Sequence, residues 1–403
     1  MAGGPSPWRR RLAISTLAAA GATVAAPIVR GAIGERLSAR TERRLNRVTD
    51  AGGGGEVSAA ARDLHERLTV VDLHADSLLW GRDLLVRADR GHVDVPRMVA
   101  GRLALQVFAA TTQVPRHLNY DRNDDRSDDI RLVALAQGWP RATWTSRTAR
   151  AEHLASRLRD AADRSEGHLS IVRSAANLDG FLERRSADAS LVAGMLAIEG
   201  AHALDGDLAN VERLDRAGYR MVGLAHFFDN AFAGSAHGVA RGGLTPLGRD
   251  LVRELERRRI LVDVAHASSA TIDDVLAMST RPVLASHTGV HGVAAHDRNL
   301  SDDQLRAIAA TGGLIGIGFW PIAAGGEGVD WIARSIAHAV AIAGPDHVAL
   351  GSDFDGAVSV PFDASELARL TAALLAAGLD EATIAAVMGG SAIRLLRTTL
   401  PPG

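Results

Sequence analysis

Thr69-Val70-Val71-Asp72-Leu73-His74-Ala75-Asp76 decides the fold: a short β-branched apolar run that ends on ionisable side chains. Continuous apolar runs of this length suit strands covered on both faces, as in a parallel sheet. The pattern recurs along the chain. Glu199 follows Met195-Leu196-Ala197-Ile198, His226 follows Leu224-Ala225, and His266 follows Val262-Asp263-Val264-Ala265. His287 closes Val283-Leu284-Ala285-Ser286, and Asp353 follows Leu350-Gly351-Ser352. Working outward from these runs, strands are expected over 69–73, 103–109, 194–198, 220–224, 260–265, 282–285, 314–319 and 348–352. Ala/Leu/Arg/Glu-rich helical stretches fall over 151–162, 210–217, 249–259, 301–310, 329–343 and 365–377, and a short leading helix begins near Ser58. Eight strand–helix units of the α/β class are enough to close a TIM-type (β/α)8 barrel, whose strand C-termini all open on one rim. Side chains far apart in sequence can therefore share one pocket.

Composition narrows the chemistry. The chain has 403 residues, 47% hydrophobic and 23% charged, which is ample for a large core. Lys+Arg of 45 against Asp+Glu of 47 leaves no cationic surplus for nucleic acid, so no nucleic-acid partner is expected. With Cys 0 there is no thiolate nucleophile and no sulfur ligand, which leaves His, Asp and Glu as metal donors. No glycine-rich phosphate loop opens a strand–helix unit and no G-x-S-x-G elbow is present. Taken singly, each strand-end residue has an ordinary explanation, such as a cap, a turn or a hydrogen bond to backbone. Together, His74, Asp76, Glu199, His266 and His287 supply enough donors for two metal ions sharing a carboxylate.

In the order and spacing of these segments, and of Ile198-Glu199-Gly200-Ala201-His202, Arg298-Asn299-Leu300 and Gly351-Ser352-Asp353-Phe354-Asp355-Gly356, the chain resembles the membrane (renal) dipeptidase family, zinc peptidases with an amidohydrolase-like barrel. The resemblance runs from about 68 to 396. It implies two Zn2+ per chain, one on His74 and Asp76, one on His266 and His287, with Glu199 bridging. It further implies that Asp353 shuttles the proton of the attacking water, His226 stabilises the developing oxyanion, and Arg298 receives the carboxylate of a dipeptide substrate. A non-covalent homodimer is implied too, since the cysteines of the animal enzymes are missing. The alternative reaction is that of a zinc amidohydrolase acting on N-acyl amino acids or small cyclic amides; a barrel repurposed as a binding protein is the non-enzymatic reading.

Several positions depart from the family pattern. Ala75 stands where the animal enzymes have Asn, Phe227-Phe228 makes the run after His226 more apolar and is expected to meet a substrate side chain, and Ser391 replaces the Asn of a Gly-Gly-Asn turn. Asp355 is expected to support its turn or to solvate the site, and His202, His237, His291 and His296 to line the rim behind the metal ligands or against substrate. The segment 115–148 is expected as a rim loop with helix, placed to cover the pocket, join a dimer or face solvent.

At the N-terminus, Arg9-Arg10-Arg11 precede an uncharged Ala-rich stretch over 12–29. This is the layout of an export signal, with adjacent arginines of the twin-arginine kind, and directs the protein to a bacterial periplasm or cell envelope. An uncleaved segment that associates with the membrane and an ordinary extension of a cytoplasmic protein are the alternatives. A flexible linker is expected over 30–57, which contains Gly52-Gly53-Gly54-Gly55, and one catalytic domain over 58–403.

Overall fold

The computed structural model describes residues 27–49 and 57–403. Eight parallel strands form the barrel: β1 (Val70–Ala75), β2 (Leu103–Thr111), β3 (Val192–Glu199), β4 (Tyr219–Gly223), β5 (Leu261–Asp263), β6 (Val283–Thr288), β7 (Leu314–Ile317) and β8 (Val348–Leu350). Each pairs with the next in this order, and the pairing of Leu350 on β8 with Asp72 on β1 closes the sheet. Every residue of these strands is buried, which is why the sequence reads as unbroken apolar runs rather than alternating ones. One apolar cluster draws Leu73, Leu105, Met195, Met221, Leu261, Leu284, Leu314 and Ala349 from all eight strands, as only the barrel interior allows. The opposite strand faces, including Phe108, Leu196 and Ile315, pack against the surrounding helices.

The helices follow the expected rhythm, among them Arg147–Arg164, Asn210–Ala217, Pro246–Arg257, Asp302–Ala310 and Val329–Ala343. The leading helix Ala59–Arg67 is capped by Ser58, whose hydroxyl accepts from the Ala61 N–H. Ser391 opens the helix Ser391–Thr399 and donates its hydroxyl to the Pro345 carbonyl, so this departure is accommodated at a helix start. Among the described residues, no helix is long and apolar enough to cross a membrane.

Two features of the fold differ from expectation. A short strand, Leu169–Ile171, pairs with the first half of β3 along the edge that β4 reaches only in its second half. Part of the expected linker is structured: residues Pro27–Leu45 form a helix, α1, and Arg47–Val48 pair with Ser359–Val360. The helix is held by charge as much as by apolar contact. Glu42 is buried against Arg82 and Arg90, and Leu45 is buried beside it. The glycine run of the linker and residues 1–26 of the expected export signal lie outside the described residues.

Candidate metal centre

Three of the expected ligand positions lie on the strands themselves. His74 is in β1, Glu199 is the last residue of β3 and His287 is in β6, because the ladder runs one to three residues further than the apolar runs suggested. Thr111 on β2 is paired in register with Glu199 on β3, so their side chains meet on the same face. Its hydroxyl lies 2.7 Å from both Glu199 Oε2 and Asp76 Oδ1. His226, His266 and Asp353 sit in the loops just beyond their strands.

His74, Asp76, Glu199, His226, His266, His287 and Asp353 converge on one buried volume. Glu199 Oε1 lies 3.3 Å from His266 Nε2, 3.6 Å from His287 Nε2 and 3.4 Å from His74 Nε2. The two nitrogens of His266 and His287 are 2.9 Å apart, and His74 Nε2 is 3.5 Å from Asp76 Oδ2. Donor atoms bound tetrahedrally at about 2.0–2.1 Å lie about 3.3 Å apart, so these separations suit zinc-sized coordination. Three overlapping groups could each hold an ion: His74, Glu199 and His287; Glu199, His226 and His266; His74, Asp76 and Asp353. Glu199 is common to the first two. The five expected ligands are therefore brought together, with His226 and Asp353 against them.

The electrostatics call for a cation. Burial raises Glu199 to about 7, reinforced by the charge of Asp76, and lifts Asp353 well above the usual carboxylate range. Burial works against a charged His74 ring, but Glu199, Asp76 and Asp353 outweigh it and push His74 up to about 10. Buried carboxylates at this density hold protons unless a metal replaces them. His74 Nε2 is buried with no hydrogen-bond partner, as a metal-directed nitrogen would be. The donor set of imidazole and carboxylate, without sulfur, fits zinc.

Backbone and surrounding residues hold these donor side chains in place. His266 and Asp353 both have left-handed φ, at 61°, a conformation that costs energy in a residue with a Cβ and clusters at functional sites. At Gly356 a Cβ would stand 2.0 Å from Asp353 Oδ1, so a larger residue there would displace the Asp353 carboxylate. Ser286 Oγ lies 2.9 Å from His287 Nδ1, fixing the ring so that Nε2 faces the centre.

Two aspartates inside the strand-end motifs serve the same end. Asp72 accepts from the Ser352 N–H and hydroxyl, both at 2.7 Å, and so ties β1 to the loop that carries Asp353. Asp263 accepts from the N–H groups of Ala265 and Ser286, both at 2.9 Å, tying the His266 loop to β6. The sequence alone points to no role for these residues or for Thr111. The signal available was the repeated Val-Asp preceding a ligand histidine.

Arg298 is buried, donates from Nη2 to the His287 carbonyl at 2.7 Å, and has an Nε without a partner. Its guanidinium lies over the Trp320 ring, 5.6 Å from the ring centroid. Trp320 lines the catalytic cavity with Asp76, Glu199, His226, Phe227, His266 and Asp353, while Arg298 lines a neighbouring cavity with Arg241, His291 and His296. Phe227 thus lines the cavity. Phe228 instead packs on His202, with ring centroids 4.8 Å apart. His237 is buried with Nδ1 2.9 Å from the Tyr120 carbonyl. Segment 115–148 contributes Leu118, Tyr120 and residues of the helix Asp129–Ala136 to the cavity lining. Asp355 supports its turn: it accepts from the Ser77 hydroxyl at 2.5 Å and the His92 N–H at 2.6 Å, and it is paired with Arg82.

The model of the family "Membrane dipeptidase (Peptidase family M19)" matches residues 58–400. The chain belongs to the membrane dipeptidase family. It is a metallopeptidase, and the family, the barrel and the clustered donors together support zinc-dependent hydrolysis of dipeptide-like substrates. Among relatives, the chain is similar to dipeptidase tcpJ of Claviceps purpurea (strain 20.1), 29% identical over 316 residues that span 76% of this chain and 69% of the relative. Among solved structures it is similar to the family M19 metallopeptidase described as dipeptidase AC, with TM-score 0.68 and 28% identity over 83% of this chain and 99% of that one. A Rhodobacter sphaeroides metallopeptidase, solved with a phosphinate mimic of the dipeptide L-Ala-D-Ala, has TM-score 0.65 and 28% identity over 82% of this chain and 99% of its own.

Proposed function

We propose that the protein is a dipeptidase that uses two zinc ions, one held by His74 and Asp76, the other by His266 and His287, with Glu199 bridging. The observation that carries this reading is the placement of donors from both sets around one oxygen of Glu199, within 3.3 to 3.6 Å. Zinc bound there supplies Lewis acidity and a water ionised near neutral pH.

The side chains do the rest. Arg298 pairs with the substrate's terminal carboxylate, for which a guanidinium fork is suited, and so sets the position of the scissile carbonyl. As oxygen from water adds to the carbonyl carbon, negative charge develops on the carbonyl oxygen. His226, which burial pushes down to about 3, is a neutral ring there and offers one N–H to that oxygen. Asp353 takes the proton released by the water and returns it to the departing nitrogen as the C–N bond breaks, giving a free carboxylate and a free amine.

The L-Ala-D-Ala mimic bound by the Rhodobacter sphaeroides relative supports an X-Ala type of dipeptide as the first to try. A panel of L,L and L,D dipeptides with amino-blocked controls tests the proposal. Cleavage of free-amine dipeptides alone is expected. Cleavage of blocked substrates alone transfers the reading to the N-acyl amino acid or cyclic amide alternative.

Residues 1–29 are proposed as an export signal that places the enzyme in a bacterial periplasm or envelope, supported by the arginine-led sequence before the Ala-rich stretch. A non-covalent homodimer completes the proposal, and family resemblance supports it.

A further inference from the structure

The helix α1 precedes the residues that the family model matches, yet it reaches the catalytic cavity. Ser38, Thr41 and Leu45 line the same continuous cavity as Glu199, His226 and Asp353. Between these ends the walls are largely apolar, with Leu79, Val114, Leu118, Ile130 and Val133 among them.

The helix is firmly seated. Arg82 joins Glu42 of α1 to Asp355, two residues beyond Asp353, and all three are buried. Gln137 donates to the Ser38 hydroxyl at 3.0 Å, and Asn46, next after α1, accepts from the Ala357 N–H at 2.8 Å. Gly34 lies so near the Ala136 carbonyl that a Cβ would stand 1.7 Å from its oxygen.

We infer that α1 closes an apolar arm of the catalytic cavity and that this arm selects substrates carrying a large apolar side chain. The inference rests on the proposed dipeptidase reading for the identity of the substrate. Asp76, Leu79 and Trp80 line this cavity together with α1, and Arg298 does not. With the substrate carboxylate on Arg298, the side chain that enters the arm belongs to the residue on the amino side of the scissile bond. Leucine- or phenylalanine-like residues match its lining; an anionic residue there would meet apolar walls and the carboxylates of Asp129 and Asp355.

The test compares kcat/KM for Phe-Ala and Gly-Ala in the zinc-loaded full-length enzyme, and in Thr41→Trp and, from the facing helix, Val133→Trp. In the wild type Phe-Ala is expected to exceed Gly-Ala by tenfold or more, and in each folded variant the ratio should fall at least tenfold. A wild-type ratio near one, or a ratio that neither variant changes, overturns the inference. Binding of straight-chain alkyl hydroxamates of increasing length separates this failure from failure of the dipeptidase reading. Affinity should rise by up to about fourfold per methylene in the wild type, even if no dipeptide is cleaved; affinity independent of chain length overturns the arm itself.

Discussion

His266 and His287, 21 residues apart on neighbouring strand ends, present their Nε2 atoms to each other at 2.9 Å. Glu199 Oε1 completes the triangle at 3.3 and 3.6 Å. Burial, with Arg298 nearby, holds the His266 ring well below its ordinary pKa, and burial does the same for His287 beside His74 and Arg298. Neutral imidazoles are the form a metal requires. Replacing either histidine by alanine is expected to remove about one zinc equivalent. Activity should fall by more than the roughly 100-fold that loss of an outer partner of a metal ligand costs. Metal content and kcat on the same samples check this.

Thr111→Val keeps the shape of the side chain and removes only the hydroxyl shared by Asp76 and Glu199. Ligands left without that partner are expected to bind zinc about 10–100-fold more weakly. Competition with a chelator of known affinity measures the change, and an unchanged zinc affinity would exclude a role for Thr111 in orienting the two carboxylates.

Removal of metal should lower thermal stability. A ligand present at 100 times its Kd stabilises the folded state by about 2.7 kcal/mol, and two such sites act together. Chelator-treated protein is therefore expected to melt several degrees lower, with recovery on adding zinc. Calorimetry with and without zinc reads the difference, and coincident transitions would contradict a metal site built into the fold.

Much of the barrel was legible because each strand is buried on both faces, leaving a run such as Val283-Leu284-Ala285 unbroken by polar residues. The donor cluster was legible only as a set: each strand-end residue alone has an ordinary explanation, but ionisable side chains recurring after successive apolar runs share one barrel rim. Leu169–Ile171 was not, being three residues long and buried only at Leu169. Nor was the docking of α1. Its decisive contact is an ion pair between Glu42 and Arg82, and nothing local in a charged, weakly patterned stretch marks a partner 40 residues away. Thr111 was hidden for a related reason: a threonine in a strand is ordinary until its register partner is known to be Glu199.

Acid should destabilise the fold through histidines outside the centre. His65 is buried with Nδ1 2.9 Å from the Thr371 hydroxyl and Nε2 3.0 Å from the Gly101 carbonyl, and burial holds its pKa below the usual value. Burial and Arg157 likewise push His153 down to about 4. With a folded pKa below the unfolded one near 6.5, each contributes stability that is complete above that pH and declines as pH falls through it toward the folded pKa. The slope cannot exceed about 1.4 kcal/mol per pH unit per group. Denaturant melts of the wild type and His65→Gln between pH 7 and pH 5 should show a shallower decline in the variant; parallel declines would contradict the assignment.

Zinc content of the purified wild type beside Glu199→Ala tests the shared carboxylate most directly. About two zinc ions per chain in the wild type and fewer than one in the variant are expected, because both donor sets meet at Glu199 Oε1. A wild type that binds no zinc, or a variant that keeps both ions, would contradict a binuclear centre built on Glu199.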